Sequence, residues 1–293
     1  MEQLYICVAF AIFGLVMGSF AGATVWRLRA RQLVQDKQDG EEYDKKEYKT
    51  LIPLTKTNAT NDRSRCLHCG HTLAWYDLIP LVSWLSTSGK CRYCHKSIGH
   101  FEPVIELGVA TFFVASYLLW PYQLQTLLEI THFGLWLVAG VILAILFAYD
   151  LKWFLLPNKA VFPFIAVGAL VAIIQLATAS DLVWSLINLG LAGAILSGLY
   201  LVIWLISKGQ WIGFGDVKLG LGLALLLGDY KLAIVALFAA NFIGCLIVIP
   251  GMLAGKLTRT TRVPFGPLLI LGFVIAGLFG QPIVDAYTGL LFL

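Results

Sequence analysis

"HFGLWLVAGVILAILFAYDLKWFLLPN", residues 132–158, decides the class of fold. The run 132–149 holds no Asp, Glu, Lys or Arg and is long enough, at about 1.5 Å per residue, to cross most of a bilayer's hydrocarbon core as a helix. Asp150 stands at its end. An ionised acid in a low-dielectric setting is expensive unless it is paired or neutralised. The stretch therefore predicts a membrane span and raises the question of what its acid does.

The rest of the chain agrees with a membrane protein. Apolar residues make up 59% of the 293, above the roughly 45–50% of a soluble domain, and the mean hydropathy is +0.80. Further runs of spanning length lie at 4–26, 104–120, 159–178, 182–206, 231–250 and 267–292, with a shorter one at 217–227. The expected fold is an all-α polytopic membrane protein of about eight transmembrane helices. Charge is concentrated: 13 of the 21 Lys and Arg and 9 of the 17 Asp and Glu fall between Arg27 and Pro103. This marks one small polar domain inserted between the first and second helices. The expected division is a first helix over 1–26, the polar domain over 27–103 and a membrane domain over 104–293. A net charge of +4 gives no reason to expect nucleic acid as a partner; the lipid bilayer is the expected one.

Lys and Arg also set the orientation, because positively charged short loops stay in the cytoplasm. With the polar domain inside, the inside loops 150–158, 207–216 and 251–266 carry Lys152, Lys208, Lys256, Arg259 and Arg262. The outside connections 121–131, 179–181 and 228–230 carry Glu129, Asp181 and Asp229 and no Lys or Arg. Basic residues follow the first apolar run and none precede it, the reverse of a cleaved secretory signal. Within the polar domain the stretch 32–62, "QLVQDKQDGEEYDKKEYKTLIPLTKTNATND", is charged and short of apolar periodicity; it reads as a flexible insertion. Its Asn58-Ala59-Thr60 sequon would not meet the glycosylation machinery on this topology.

"CLHCG" at 66–70 and "CRYCH" at 91–95 form two Cys-x2-Cys pairs. Thiolates of Cys66, Cys69, Cys91 and Cys94 at this spacing suit one tetrahedral, structural zinc ion. A redox pair or a disulfide is the alternative, and a reducing cytosol disfavours the latter. Gly70 and Gly89 flank the pairs and permit tight turns. His68, His71 and His95 are nearby substitutes, while Cys7 and Cys245 read as packing residues inside spans.

A second acid, Asp216, lies in "GFGDVKLG", residues 213–220. On the predicted topology Asp150 and Asp216 share the cytoplasmic rim of the membrane. Two carboxylates brought together there cannot both ionise easily, so a shared proton and an activated water would follow. The bland alternative is that Asp216 caps a helix and Asp150 reaches out to the interface. Asp150 would then sit badly against its helix dipole. Gly213 and Gly215 beside Asp216 would give the loop backbone freedom and allow a substrate strand to come close.

These motifs resemble those of one family. Gly213-Phe214-Gly215-Asp216 is similar to the GxGD signature of membrane aspartyl proteases. "DVKLGLG" after it, Asp150 followed by Pro157-Asn158, "GSFAGATVWRLR" (18–29), the cysteine region 66–107 and "VPFGPLL" (263–269) resemble the type IV prepilin peptidases. The resemblance implies an enzyme of the bacterial cytoplasmic membrane that cleaves the basic leader of prepilins or pseudopilins at the cytoplasmic face. It would then methylate the new N-terminus using S-adenosylmethionine. It implies that Asp150 and Asp216 are the catalytic pair and that the four cysteines hold zinc in the cytoplasmic domain. Three departures fall in the methyl-transfer half: Ser19-Phe20-Ala21-Gly22 lacks the family's usual Asn, Glu102 replaces an aromatic residue before Pro103, and 32–62 is extra. No residue is assigned to the methyl donor; Glu106 is a candidate polar contact, or simply a carboxylate at a helix start. Two other readings stay open: a peptidase without methyl transfer, and a non-enzymatic transporter or scaffold with a zinc-stabilised cytosolic domain.

Overall fold

The computed structural model of the chain describes residues 1–55, 63–258 and 261–291. The sequon at 58–60 and Arg259 lie outside them. Among the described residues the protein is helical throughout, with only two isolated β-bridges, Arg65 with Thr72 and Lys90 with Ser97. The chain forms two compact units, Met1–Tyr117 and Leu118–Leu293.

The first unit contains α1 (Glu2–Asp39), α2 (Lys45–Leu51), a 3-10 turn (Ile52–Thr55), a second 3-10 turn (Trp75–Leu78), α3 (Val82–Ser86) and most of α4 (Phe101–Leu119). α1 and α4 touch backbone to backbone. A Cβ on Gly14 would come within 2.6 Å of the Ala110 Cα, and one on Gly18 within 2.6 Å of the Glu106 Cα. Small residues four apart are how membrane helices approach closely.

The charged stretch 32–62 is largely helical over its described part. α1 runs on to Asp39, where Gly40 in a left-handed conformation (φ 74) donates its N–H to the Asp36 carbonyl and ends the helix. Asp44 caps α2, its carboxylate accepting the Lys46 and Glu47 N–H groups. The few apolar residues suffice because they fall on one stripe: Ala30, Leu33 and Leu51 are buried, with Trp26, Tyr43, Tyr48, Leu54 and Leu67 packed around them. An Arg29–Glu47 ion pair at 2.7 Å fastens α2 to α1.

The second unit holds α5 (Leu127–Trp153), α6 (Asn158–Ala177), α7 (Leu182–Gly193) leading through a π turn (Ala194–Gly198) into α8 (Leu199–Ser207), α9 (Phe214–Leu227), α10 (Tyr230–Leu253) and α11 (Phe265–Leu291). Among the described residues seven helices are long and apolar enough to cross a membrane. The eight-helix expectation differs at one place. The apolar run 217–227 forms α9, whose 14 residues span about 21 Å, less than the roughly 30 Å hydrocarbon core. Outward faces carry Phe13, Val104, Ile173, Phe238 and Leu246, each more than half exposed. Lipid, not water, covers such surfaces.

α9 is the hub of this unit. Val217, Leu219, Leu223, Ala224, Leu226 and Leu227 are buried and cover most of its circumference, leaving only the face of Lys218, Leu221 and Leu225 open. It packs against α6, α7, the π turn and α11. Its glycines make these contacts possible. A Cβ on Gly222 would strike the Phe164 ring at 2.4 Å, and one on Gly220 would lie 1.9 Å from the Leu196 carbonyl oxygen.

Candidate active site and metal centre

Asp150 lies within the last turn of α5, which Phe154 closes in a left-handed conformation (φ 56) while donating its N–H to the Asp150 carbonyl. An acid near a helix C-terminus opposes the dipole. Here the opposition is answered by another helix. Asp150 Oδ2 accepts the Gly266 N–H at 3.0 Å, in the first turn of α11, where free N–H groups and the dipole favour negative charge. Asp150 itself is only 5% exposed. Glycine opposite leaves the carboxylate in place, because a Cβ at 266 would sit 2.7 Å from Asp150 Oδ2. We expect Gly266→Ala to push the carboxylate aside and to lower any activity that depends on Asp150 about tenfold or more. The melting temperature in detergent should fall little, since a side-chain end yields more easily than a backbone. Wild-type turnover in that variant would remove the role assigned to this contact.

Asp216 is the third residue of α9, and Gly213 occupies the N-cap. Asp216 is thus not the N-cap. Its carboxylate accepts the Gly213 N–H, as an acid in the third position of a capping box does. It is half-buried. The two acids are close enough to interact electrostatically. Leu156, from the turn after α5, packs on both sides of the gap: a Cβ on Gly215 would lie 3.0 Å from its Cβ, and one on Gly266 would lie 3.6 Å from its Cδ2.

Neither loop glycine uses backbone freedom that other residues lack, and only Gly215 is needed for space. Gly213 has φ −73 and ψ 146, and Gly215 is helical without a positive φ. Both conformations are open to any residue; what Gly215 supplies is room for Leu156. Two other residues of the family-like motifs also meet. Lys218 Nζ hydrogen-bonds Asn158 Oδ1 and lies 5.3 Å and 5.6 Å from the ring centres of Phe214 and Phe162. Gly266 belongs to a motif visible in the sequence, whereas nothing in the sequence singled out Leu156 or Tyr200, which also borders this site.

In the first unit the sulfur atoms of Cys66, Cys69, Cys91 and Cys94 lie within 4.8 Å of one another. All four thiols are free. Zinc bound tetrahedrally at about 2.3 Å would space its sulfurs about 3.8 Å apart, and Cys66 Sγ and Cys94 Sγ stand 4.0 Å apart. The donor set therefore suits such an ion. The two knuckles are copies of one turn. Gly70 N–H donates to the Cys66 carbonyl and Cys66 N–H to the His71 carbonyl; His95 N–H donates to the Cys91 carbonyl and Cys91 N–H to the Lys96 carbonyl. The left-handed positions are Gly70 (φ 72) and His95 (φ 56). Gly89 (φ 70) lies before the second knuckle, and a Cβ there would meet the Trp84 ring at 3.0 Å.

Burial pushes the Cys66 thiol up to about 12. Burial acts on Cys91 in the same direction, but the Cys94 and Tyr93 N–H groups and its neighbouring thiols draw it down to about 7. A cation entering such a cluster displaces protons. The second knuckle is braced by Asp77, which takes an ion pair from Arg92 at 2.9 Å and hydrogen bonds from the Tyr93 hydroxyl and the Ala74 N–H. Burial pushes Asp77 up, but these donors outweigh it and hold the carboxyl below its ordinary value.

Glu106 is 6% exposed, and its Oε2 accepts the Leu81 N–H at 2.8 Å. Leu81 is one of few described non-glycine residues with positive φ (57). Glu106 therefore holds a strained turn of the inserted domain, a structural task that its position near a helix start had left open.

Comparison with known proteins covers both units. Residues 12–120 match the model of the bacterial Peptidase A24 N-terminal domain, and residues 137–249 match that of the type IV leader peptidase family. The chain is 30% identical to the type 4 prepilin-like proteins leader peptide-processing enzyme of Escherichia coli O78:H11 (strain H10407 / ETEC), over 88% of either chain. It is 29% identical to the prepilin leader peptidase/N-methyltransferase of Aeromonas hydrophila, over 97% of this chain and 94% of the relative. It is 27% identical to the protein of the same description in Stutzerimonas stutzeri, over 94% and 91%. No solved structure matches the chain.

Proposed function

The chain belongs to the type IV leader peptidase family, and we propose that Asp150 and Asp216 are the pair with which it cuts prepilin leaders. It is a prepilin-processing membrane enzyme; the transporter or scaffold reading is thereby set aside. The observation that carries the catalytic assignment is the convergence of two acids from α5 and α9 around Leu156, one of them buried and held by the α11 backbone.

Two carboxyl groups at close range share one proton, and they titrate as a pair. The ionised member takes a proton from a water molecule held between them as the water oxygen bonds to the scissile carbonyl carbon. The protonated member gives its proton to the carbonyl oxygen. When the carbon–nitrogen bond breaks, the departing amine receives the proton first taken from water. One hydroxyl of the intermediate then returns a proton to the other carboxylate as the new acid forms. The pair is restored.

The Lys and Arg distribution supports a cytoplasmic rim for this chemistry and a cytoplasmic inserted domain. It also supports α9 as the eighth crossing, completed by flanking residues. The four cysteines would hold a structural zinc, which supplies folding energy to a domain with a very small core. Methyl transfer from S-adenosylmethionine to the new N-terminus is the second activity carried by the relatives' description. No residue of this chain is assigned to that donor.

The test is a synthetic peptide with a basic leader, then Gly, Phe and an apolar stem. Incubation with the enzyme should yield the product of cleavage after Gly, which gains the mass of one methyl group when S-adenosylmethionine is added. An intact peptide would overturn the peptidase reading, and a cut product without added mass would leave a peptidase alone. For the metal, purified protein should carry a single zinc by elemental analysis. Chelation, or Cys91→Ser, should release it and expose 66–94 to protease before the membrane helices unfold. Full metal occupancy in Cys91→Ser would remove Cys91 from the ligand set.

A further inference from the structure

One buried polar group beside the two acids has no part in the two-carboxyl chemistry. Tyr200 is 3% exposed, and among the described residues its hydroxyl has no hydrogen-bond partner. A phenol shut away from water ordinarily finds one.

Two contacts flank it along the π turn with α8 and α9, and a third reaches α11. Ser197 Oγ donates to the Val217 carbonyl at 2.9 Å. The Trp204 and Phe214 rings stand 5.1 Å apart. Tyr200 lies between Ser197 and Trp204 on that face, which sets it level with Asp216. The π turn Ala194–Gly198 inserts an extra residue just before it and so rotates the face of α8; such turns recur at functional sites. On its other side the Tyr200 ring meets Phe265 edge-on at 5.3 Å, and Phe265 is followed directly by Gly266, the residue bound to Asp150. Tyr200 thus touches the α11 arm of the site through Phe265, and it lies within electrostatic range of Asp216 on α9.

We propose that Tyr200 is a third catalytic residue, whose hydroxyl donates a hydrogen bond to the oxygen of the scissile peptide carbonyl. The inference rests on the assignment of Asp150 and Asp216 as the peptidase pair. As water adds to the carbonyl carbon, the carbonyl π electrons move onto that oxygen. Tyr200 steadies the growing negative charge by hydrogen bonding and keeps its own proton. The oxygen's proton comes from the protonated aspartate, so the balance of the reaction is unchanged. A donor fixed in a dry site needs no reorganisation as the charge develops.

Tyr200→Phe tests this with opposite expectations for catalysis and stability. The variant removes one oxygen that no described residue bonds, so the melting temperature in detergent should hold or rise. Cleavage of the leader peptide should lose about 100-fold in kcat with KM within about twofold, the loss expected of a missing oxyanion donor. A peptide with a hydroxymethylene in place of the scissile carbonyl should bind the variant about tenfold or more weakly, while the product peptide binds both alike. A kcat within about twofold of wild type would overturn the proposal. So would a lowered melting temperature with activity falling in step, which is the signature of a packing role. Asp150→Asn and Asp216→Asn run alongside: if they cleave normally, the pair assignment fails and this inference with it. If they are inactive while Tyr200→Phe is not, only the role of Tyr200 is lost.

Discussion

Asp150→Asn and Asp216→Asn should each abolish leader removal, with cleavage falling by about a thousandfold or more. Asparagine keeps the shape of the side chain, and at 150 its carbonyl oxygen can still accept the Gly266 N–H that the carboxylate accepts at 3.0 Å. What it removes is the ability to take a proton from water or to give one to the carbonyl oxygen. The folded state should therefore survive, with elution as a single species in detergent and a melting temperature near that of wild type. Because the acids act as one unit, the double variant should be no slower than either single one. Cleavage at the wild-type rate by either single variant would end the assignment. Losses that multiply in the double variant would show two acids working independently.

The largest loss of stability should come from Gly220→Ala. The added methyl would stand 1.9 Å from the Leu196 carbonyl oxygen and 2.7 Å from its carbon. These are backbone atoms, so a helix must shift. Overpacking of this kind costs about 1–3 kcal/mol in ordinary cores, and about 3 kcal/mol or more is expected where no side chain can turn away. Gly190→Ala is the control, since a Cβ there meets nothing within 4 Å; alanine at that helical position should be neutral or mildly stabilising. Thermal aggregation in detergent distinguishes the two. A Gly220→Ala protein as stable as wild type would mean that α9 and the π turn do not lie this close.

Much of the design is written in the sequence because the bilayer is a strict solvent. Asp150 and Asp216 stand out against apolar runs, and four cysteines at zinc spacing need no tertiary information to be noticed. What escaped depends on partners distant along the chain. The stretch 32–62 is short of apolar periodicity, yet its Leu33 and Leu51 meet each other and Leu67. The 217–227 run read as a weak span because its length, and not its position, was legible. Only the fold reveals it as α9, buried over most of its surface. Gly215 resembled a flexible loop residue, and its neighbour Leu156 explains it in another way. Tyr200 was one aromatic among many in an apolar helix; its importance lies in the missing partner, which no sequence pattern records.

The bond between Asp150 and Gly266 joins residues 116 positions apart, and this bears on how the protein is made. At about 5–20 residues per second, the ribosome releases the acid roughly 6–23 s before the amide that will hold it. Through that interval the nascent chain carries Asp150 without the backbone amide that will hold it. On the proposed assignment of Asp150, peptide-cutting power is withheld until α11 is in place, and a chain truncated before Gly266 is expected to lack it.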